Sequence, residues 1–107
     1  MQHITAPELA AWIADTSRAK PVLLDVREPW EFDTCHIEGA TPLPMKTITE
    51  RVSELDPNAT IVCICHHGGR SAQVAAFLER NGFAHVINLT GGIHAWSLNV
   101  DPTIPTY

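Results

Sequence analysis

The stretch Cys65-His66-His67-Gly68-Gly69-Arg70-Ser71 brings a nucleophile, two imidazoles, two glycines, a guanidinium and a hydroxyl into one short segment. It follows an uncharged run, Thr60-Ile61-Val62-Cys63-Ile64, and precedes Val74, Phe77 and Leu78 at helical spacing. A thiol attacks as thiolate, so a working cysteine needs positive potential and N–H donors around it. A helix N-terminus supplies both, because its first amides lack partners and the macrodipole is positive there. Gly68 and Gly69 allow φ > 0 and a tight curl, which can turn successive N–H groups inward as an anion-binding nest. Arg70 adds charge at the rim. The plainer alternative is that Cys65 is a packed strand residue with a glycine turn behind it, since free cysteine is often structural.

Two anions suit such a nest. One is a phosphate attacked by cysteine, as in phosphatases with a C-x5-R loop, where arginine chelates the phosphate oxygens. The other is a persulfide, whose terminal sulfur is small and anionic. Only His66, His67, Gly68 and Gly69 stand between Cys65 and Arg70, one residue short of the phosphatase spacing. A tighter ring suits one sulfur atom better than a tetrahedral phosphate.

The elements that must position this loop can be read in order. Thr5 and Glu8 form a capping box before Leu9, Trp12 and Ile13. Pro21 to Val26 reads as a buried strand, and Pro29 to Phe32 as a short helix opened by proline. Thr41 to Leu43 is a short strand. Thr47 and Glu50 suggest a second capping box, with Ile48, Val52 and Leu55 on one face until Asp56-Pro57-Asn58. Thr60 to Ile64 is a strand, Cys65 to Arg70 a loop, and Ser71 to Arg80 a helix stopped by Asn81-Gly82. His85 to Leu89 is a strand, and Gly91-Gly92 turns into a helix through Trp96. The tail from Val100 to Tyr107, with Pro102 and Pro105, is expected to lie extended over the surface. Strands that alternate with helices and read as apolar runs indicate a parallel sheet covered on both faces. In such a sheet, ligands bind beyond the carboxyl ends of the strands, where Cys65 stands.

The 107 residues suggest one domain over 1–107, with 45% apolar and 18% charged residues, a globular balance. A net charge of −5 with seven scattered basic residues argues against nucleic acid or an anionic membrane as partner. Met1 to Thr5 carry no basic segment leading into an apolar one, and the apolar runs are far short of a membrane span. A cytoplasmic protein is the expectation, and three cysteines there do not suggest a disulfide framework.

Four motifs in order resemble the single-domain rhodanese (thiosulfate sulfurtransferase-like) family over nearly the whole chain. They are Asp25-Val26-Arg27-Glu28 with Glu31-Phe32, and His36-Ile37-Glu38-Gly39-Ala40 followed by Pro42 and Pro44. The third is the Cys65–Ser71 loop, and the last is Gly91-Gly92-Ile93-His94-Ala95-Trp96. The resemblance implies a three-layer α/β/α fold with a five-stranded parallel sheet. It implies a Cys65 nucleophile that takes sulfane sulfur from thiosulfate or another persulfide donor and releases sulfite. The persulfide then passes its sulfur to cyanide or a thiol, with a sulfur-relay protein as a further partner and no cofactor. Amides from His66 to Ser71 would stabilise the anionic sulfur. The alternatives kept open are a non-catalytic binding module on the same fold, and a cysteine phosphatase or arsenate reductase. Cys35 departs from the pattern, standing where the family has glycine before the histidine.

Asp25 and Arg27 end a strand at the same sheet edge as Cys65. With Glu31 and His36 they are expected to form a hydrogen-bond network fixing the loops, which leaves Arg70 as the substrate-binding cation. His66 and His67 are expected to point outward and contribute their N–H groups. Cys35, His36, Cys63, Cys65, His66 and His67 resemble a metal cluster in composition, but C-x-C-H-H is not a standard zinc spacing, so no metal is expected. Cys63 reads as a small buried residue, Trp12 and Trp96 as packing, and Trp30 as more exposed near the site entrance.

Overall fold

The computed structural model describes residues 1–107. Five strands form one sheet: β1 Gln2–Ile4, β2 Val22–Asp25, β3 Thr41–Pro42, β4 Thr60–Ile64 and β5 His85–Leu89. The spatial order is β1-β5-β4-β2-β3 and every pairing is parallel. The helices are α1 Ala6–Ala14, α2 Pro29–Thr34, α3 Ile48–Arg51, α4 Gly69–Arg80 and α5 Gly92–Asn99. The implied α/β/α architecture is therefore present. No helix is long and apolar enough to cross a membrane.

The period-two alternation of β4 divides the core. Ile61, Cys63 and Cys65 join Leu24, Val74, Ala75, Leu78 and Val86 on the face covered by α3 and α4. Val62 and Ile64 join Leu9, Trp12, Ile87, Ile93 and Trp96 on the face covered by α1 and α5. Cys65 thus faces the N-terminal end of α4. From β2 the chain moves outward to β3, whereas from β4 it moves the other way to β5. Their carboxyl ends flank the crevice where this fold class places ligands.

Several elements differ from expectation. The Thr5–Glu8 capping box forms, with Thr5 N–H donating to Glu8 Oε1 at 2.9 Å and Glu8 N–H to Thr5 Oγ1 at 3.3 Å. The Thr47–Glu50 box does not. Thr47 has φ −104° and ψ 0°, not the extended backbone of an N-cap, and its hydroxyl donates to Pro44 O at 2.9 Å. The chain enters α3 from a 3-10 turn over Met45–Thr47 and leaves through another over Val52–Glu54. Strand β1 carried no signal, being three residues long with only Ile4 apolar. The tail is not extended over the surface. A turn held by Ile104 N–H to Asp101 O brings Ile104 and Tyr107 against the α1/α5 cluster.

Candidate active site

Strand β4 carries Cys65 to the middle of the sheet edge, where the residue is 1% exposed. The chain then reverses at Gly68, the N-cap of α4, with φ +109°. A side chain there would be strained by that φ, and its Cβ would lie 3.3 Å from Gly91 N. The reversal aims Gly68 N–H at Cys65 Sγ, 3.0 Å away. Ser71, fully buried one turn into the helix, places its Oγ 3.3 Å from the same sulfur. The expected ring of amides from His66 to Ser71 is, around the thiol itself, one amide and one hydroxyl.

Ser71 Oγ also lies 2.5 Å from Asn88 Oδ1, and Asn88 Nδ2 donates to Gly68 O at 3.3 Å. The hydroxyl has a single proton. When Cys65 is a thiol, Ser71 donates to Asn88 and accepts from S–H. When it is a thiolate, the hydroxyl can turn its proton to sulfur. Asn88 was not anticipated, although a polar residue inside His85–Leu89 was the available signal.

The Gly91-Gly92 pair has a packing reason. A Cβ on Gly92, at φ +58°, would lie 2.3 Å from Cys65 O and 2.5 Å from His66 O. With no side chain there, the first amides of α5 reach the loop: Ile93 N–H donates to Cys65 O at 2.9 Å and His94 N–H to His66 O at 3.1 Å. These bonds occupy carbonyls of the loop and fix its course behind the sulfur.

Beside the loop lies a network of charges. The guanidinium of Arg27, a residue 1% exposed, forms two bonds with Asp25, Nε to Oδ1 at 2.9 Å and Nη2 to Oδ2 at 2.7 Å, alongside a third from Arg27 N–H to Oδ1 at 3.2 Å. It also donates to Cys35 O at 2.6 Å and Tyr107 OH at 2.8 Å. Tyr107 OH donates to Glu31 Oε2 at 2.8 Å, and Arg70 grips both Glu31 oxygens at 2.6 and 2.9 Å. Burial alone would lower the Arg27 pKa, but the bonds to Asp25 and Tyr107 outweigh it and hold it above its ordinary value. The Arg70 guanidinium holds the Glu31 carboxyl down at about 2, against the opposing pull of burial. Burial pushes the Tyr107 hydroxyl up to about 12 and, with the nearby Cys65, the Cys63 thiol also to about 12.

Asp25, Arg27 and Glu31 thus lie where expected, but His36 does not join them. It is exposed, stacked on Phe32 at 3.9 Å between centroids, with Nδ1 2.8 Å from Phe32 O. Its imidazole bonds one helical turn back instead of reaching the sheet edge. Arg70 is not a free cation for a donor, since Glu31 holds it and its side chain is 33% exposed. His66 is not turned out to solvent either: its ring stacks on Tyr107 at 4.1 Å and 8°, and burial lowers its pKa. His67 is exposed, as expected. Trp30 is exposed and meets Tyr107 edge-on, near the site. Cys35 has φ −167°, extended backbone open to any residue, so glycine is not required there. All three cysteines are free thiols.

The Rhodanese-like domain family matches residues 5–99. The chain belongs to that family. A sulfurtransferase of Allochromatium vinosum is 36% identical over 104 residues, spanning 97% of this chain and 95% of the relative. A chloroplastic rhodanese-like/PpiC domain-containing protein of Arabidopsis thaliana is 44% identical over 89 residues, 79% of this chain but 30% of its own length. The rhodanese-like chain thus spans less than a third of that relative. A crystallised protein of Staphylococcus saprophyticus superposes with a TM-score of 0.84 at 35% identity, covering 94% of this chain and 97% of the other.

Proposed function

We propose that the 107 residues act as one sulfurtransferase unit carrying sulfane sulfur on Cys65. The observation that carries the reading is Gly68 N–H on Cys65 Sγ at 3.0 Å, with Ser71 Oγ at 3.3 Å, at the mouth of α4. In the first step the Cys65 thiolate attacks the outer sulfur of thiosulfate or another persulfide donor. A Cys–S bond forms, the donor's S–S bond breaks, and sulfite leaves thiosulfate with the bonding pair. In the second step cyanide or a thiolate takes the outer sulfur, giving thiocyanate or a new persulfide and restoring the Cys65 thiolate. The proton of the resting thiol goes to solvent. This is covalent, two-stage catalysis.

The outer sulfur of the persulfide, one bond beyond Sγ, needs donors of its own, and the remaining amides from His66 to Ser71 are the proposed ones. Arg70 is paired with Glu31, so its proposed part is to hold the loop beside the charge network and not to bind the sulfur. A small sulfur donor is the proposed substrate, and a thiol, cyanide or a sulfur-relay protein the acceptor, in a cytoplasmic setting that suits free thiols. Thiocyanate formation from thiosulfate and cyanide tests the reading: Cys65→Ser is expected to abolish it, and substantial retained turnover would remove Cys65 as nucleophile.

One observation favours a second reading. Cys65 is 1% exposed, and so covered a thiol suits a rhodanese-fold module that binds a partner without turnover. Such a module would bind its partner equally well with Cys65→Ser and gain no sulfur from thiosulfate. The phosphatase reading has the short loop against it, and Arg70 is turned to Glu31.

A further inference from the structure

The imidazoles of the loop play no part in sulfur transfer as described, yet they do not lie loose. One ring nitrogen from each of His66, His67 and His94 lies within 4.8 Å of the other two. Their ring centroids are 4.0 Å apart for His66–His67, 4.8 Å for His67–His94 and 6.0 Å for His66–His94. Two nitrogens in this cluster, His66 Nε2 and His94 Nδ1, are buried and bond to no group of the protein. A buried polar atom left unpaired costs about 1–3 kcal/mol, so a pair of them facing one cluster calls for an occupant.

The fold already brings His66 and His94 together. His94 N–H donates to His66 O at 3.1 Å, tying the start of α5 to the loop. The His66 ring is fixed flat against Tyr107. His67 is exposed and free to swing toward both. Zinc with Zn–N of about 2.1 Å in a tetrahedral arrangement needs nitrogens about 3.4 Å apart. The nitrogens, within 4.8 Å of one another, must therefore draw inward on binding, with the exposed His67 ring the one with most room to turn.

We propose that His66, His67 and His94 form a binding site for a divalent transition-metal ion, separate in its chemistry from the Cys65 thiol. The donor set decides the class of ion. Three imidazoles without a carboxylate suit zinc, nickel or copper, whereas magnesium and calcium take oxygen ligands. Three protein ligands leave a fourth position for water or an incoming anion, as in open zinc sites. The metal grouping read from the sequence joined His66 and His67 to Cys35, His36, Cys63 and Cys65, and those last four do not belong to this cluster. The cluster that the fold builds instead draws on His94, which the Gly91-Gly92 turn delivers to the loop.

Zinc chloride titrated by calorimetry into the Cys65→Ser protein tests the site without the thiol, and so without the sulfur-transfer reading. One zinc per chain is expected, weakened more than about tenfold by His94→Ala and by His67→Ala, each made in that background. Magnesium chloride is expected to give no binding heat. The exposed His67 side chain can be removed without touching the core, so its variant stands even if His94→Ala unfolds. Absence of zinc binding would overturn the proposal, as would unchanged affinity in the His67→Ala protein. Binding by the wild type that disappears in Cys65→Ser would overturn it too, since the thiol would then be a ligand.

Discussion

The Cys65 loop and the charge network next to it occupy one sheet edge but are held by opposite means. Around Cys65 most contacts come from the main chain, Gly68 N–H to sulfur and the amides of Ile93 and His94 to loop carbonyls, with the neutral side chains of Ser71 and Asn88 beside them. Around Arg27 they are mostly side chains, with the charged Asp25, Glu31 and Arg70 joined through the neutral Tyr107 hydroxyl. A backbone cradle keeps its shape whichever protonation state the sulfur adopts and presents donors without rotamer cost. A buried ionic network stabilises only while complete, because losing one partner strands the others without solvent. The loop should therefore govern turnover, and the network should govern whether the loop stays in place.

The largest expected effect is on the network. Arg27→Ala leaves Asp25 buried without its partner and should cost about 3–5 kcal/mol in urea unfolding. A loss under about 1 kcal/mol would mean that the network contributes little. The loop is broken most cleanly at Gly92. Gly92→Ala pushes a methyl into the carbonyls of Cys65 and His66, and a displacement near 1 Å should lower kcat/KM about 10²-fold. Wild-type kcat/KM in that variant would show that the close approach does not set the catalytic geometry.

Acid titration separates the two regions further. Glu31 has its folded pKa at about 2, against an ordinary carboxyl value near 4.5. Its contribution, on the order of 2–3 kcal/mol, is complete above the unfolded value and fades as pH falls from about 4.5 toward 2. Urea midpoints measured across that window should drop in the wild type, and this part of the drop should vanish in Glu31→Gln. Equal slopes in both proteins would refute the assignment. The smallest effect is at Ser71: Ser71→Ala removes one hydrogen bond to sulfur and should lower kcat/KM by about fivefold, near 1 kcal/mol. A loss of several hundredfold would make the hydroxyl the principal stabiliser in place of Gly68 N–H.

The two regions also differed in how far the sequence disclosed them. The loop was legible because its geometry depends on glycines in a row between an apolar strand and a helix, all within a few residues. Asp25, Arg27 and Glu31 were placed in one network for the same reason, lying close together in the chain. Tyr107 was not, because it comes back to Arg27 and Glu31 from the far end of the chain through a turn that Pro102 and Pro105 did not announce. Arg70 was read as a substrate cation since nothing local showed that Glu31 would take it. Thr47 had the spacing of a cap without its backbone conformation, which residue types alone do not reveal. His94 and Asn88 meet the loop only once β5 and α5 are laid beside β4 and α4.

The most direct test of the sulfur-carrying thiol is the intact mass of the protein after incubation with thiosulfate and removal of excess reagent. A gain of one sulfur atom, mapped to Cys65, reversed by cyanide and absent in Cys65→Ser, is the predicted result. An unchanged mass in the wild type, or an added sulfur mapped to Cys35 or Cys63, would contradict the account.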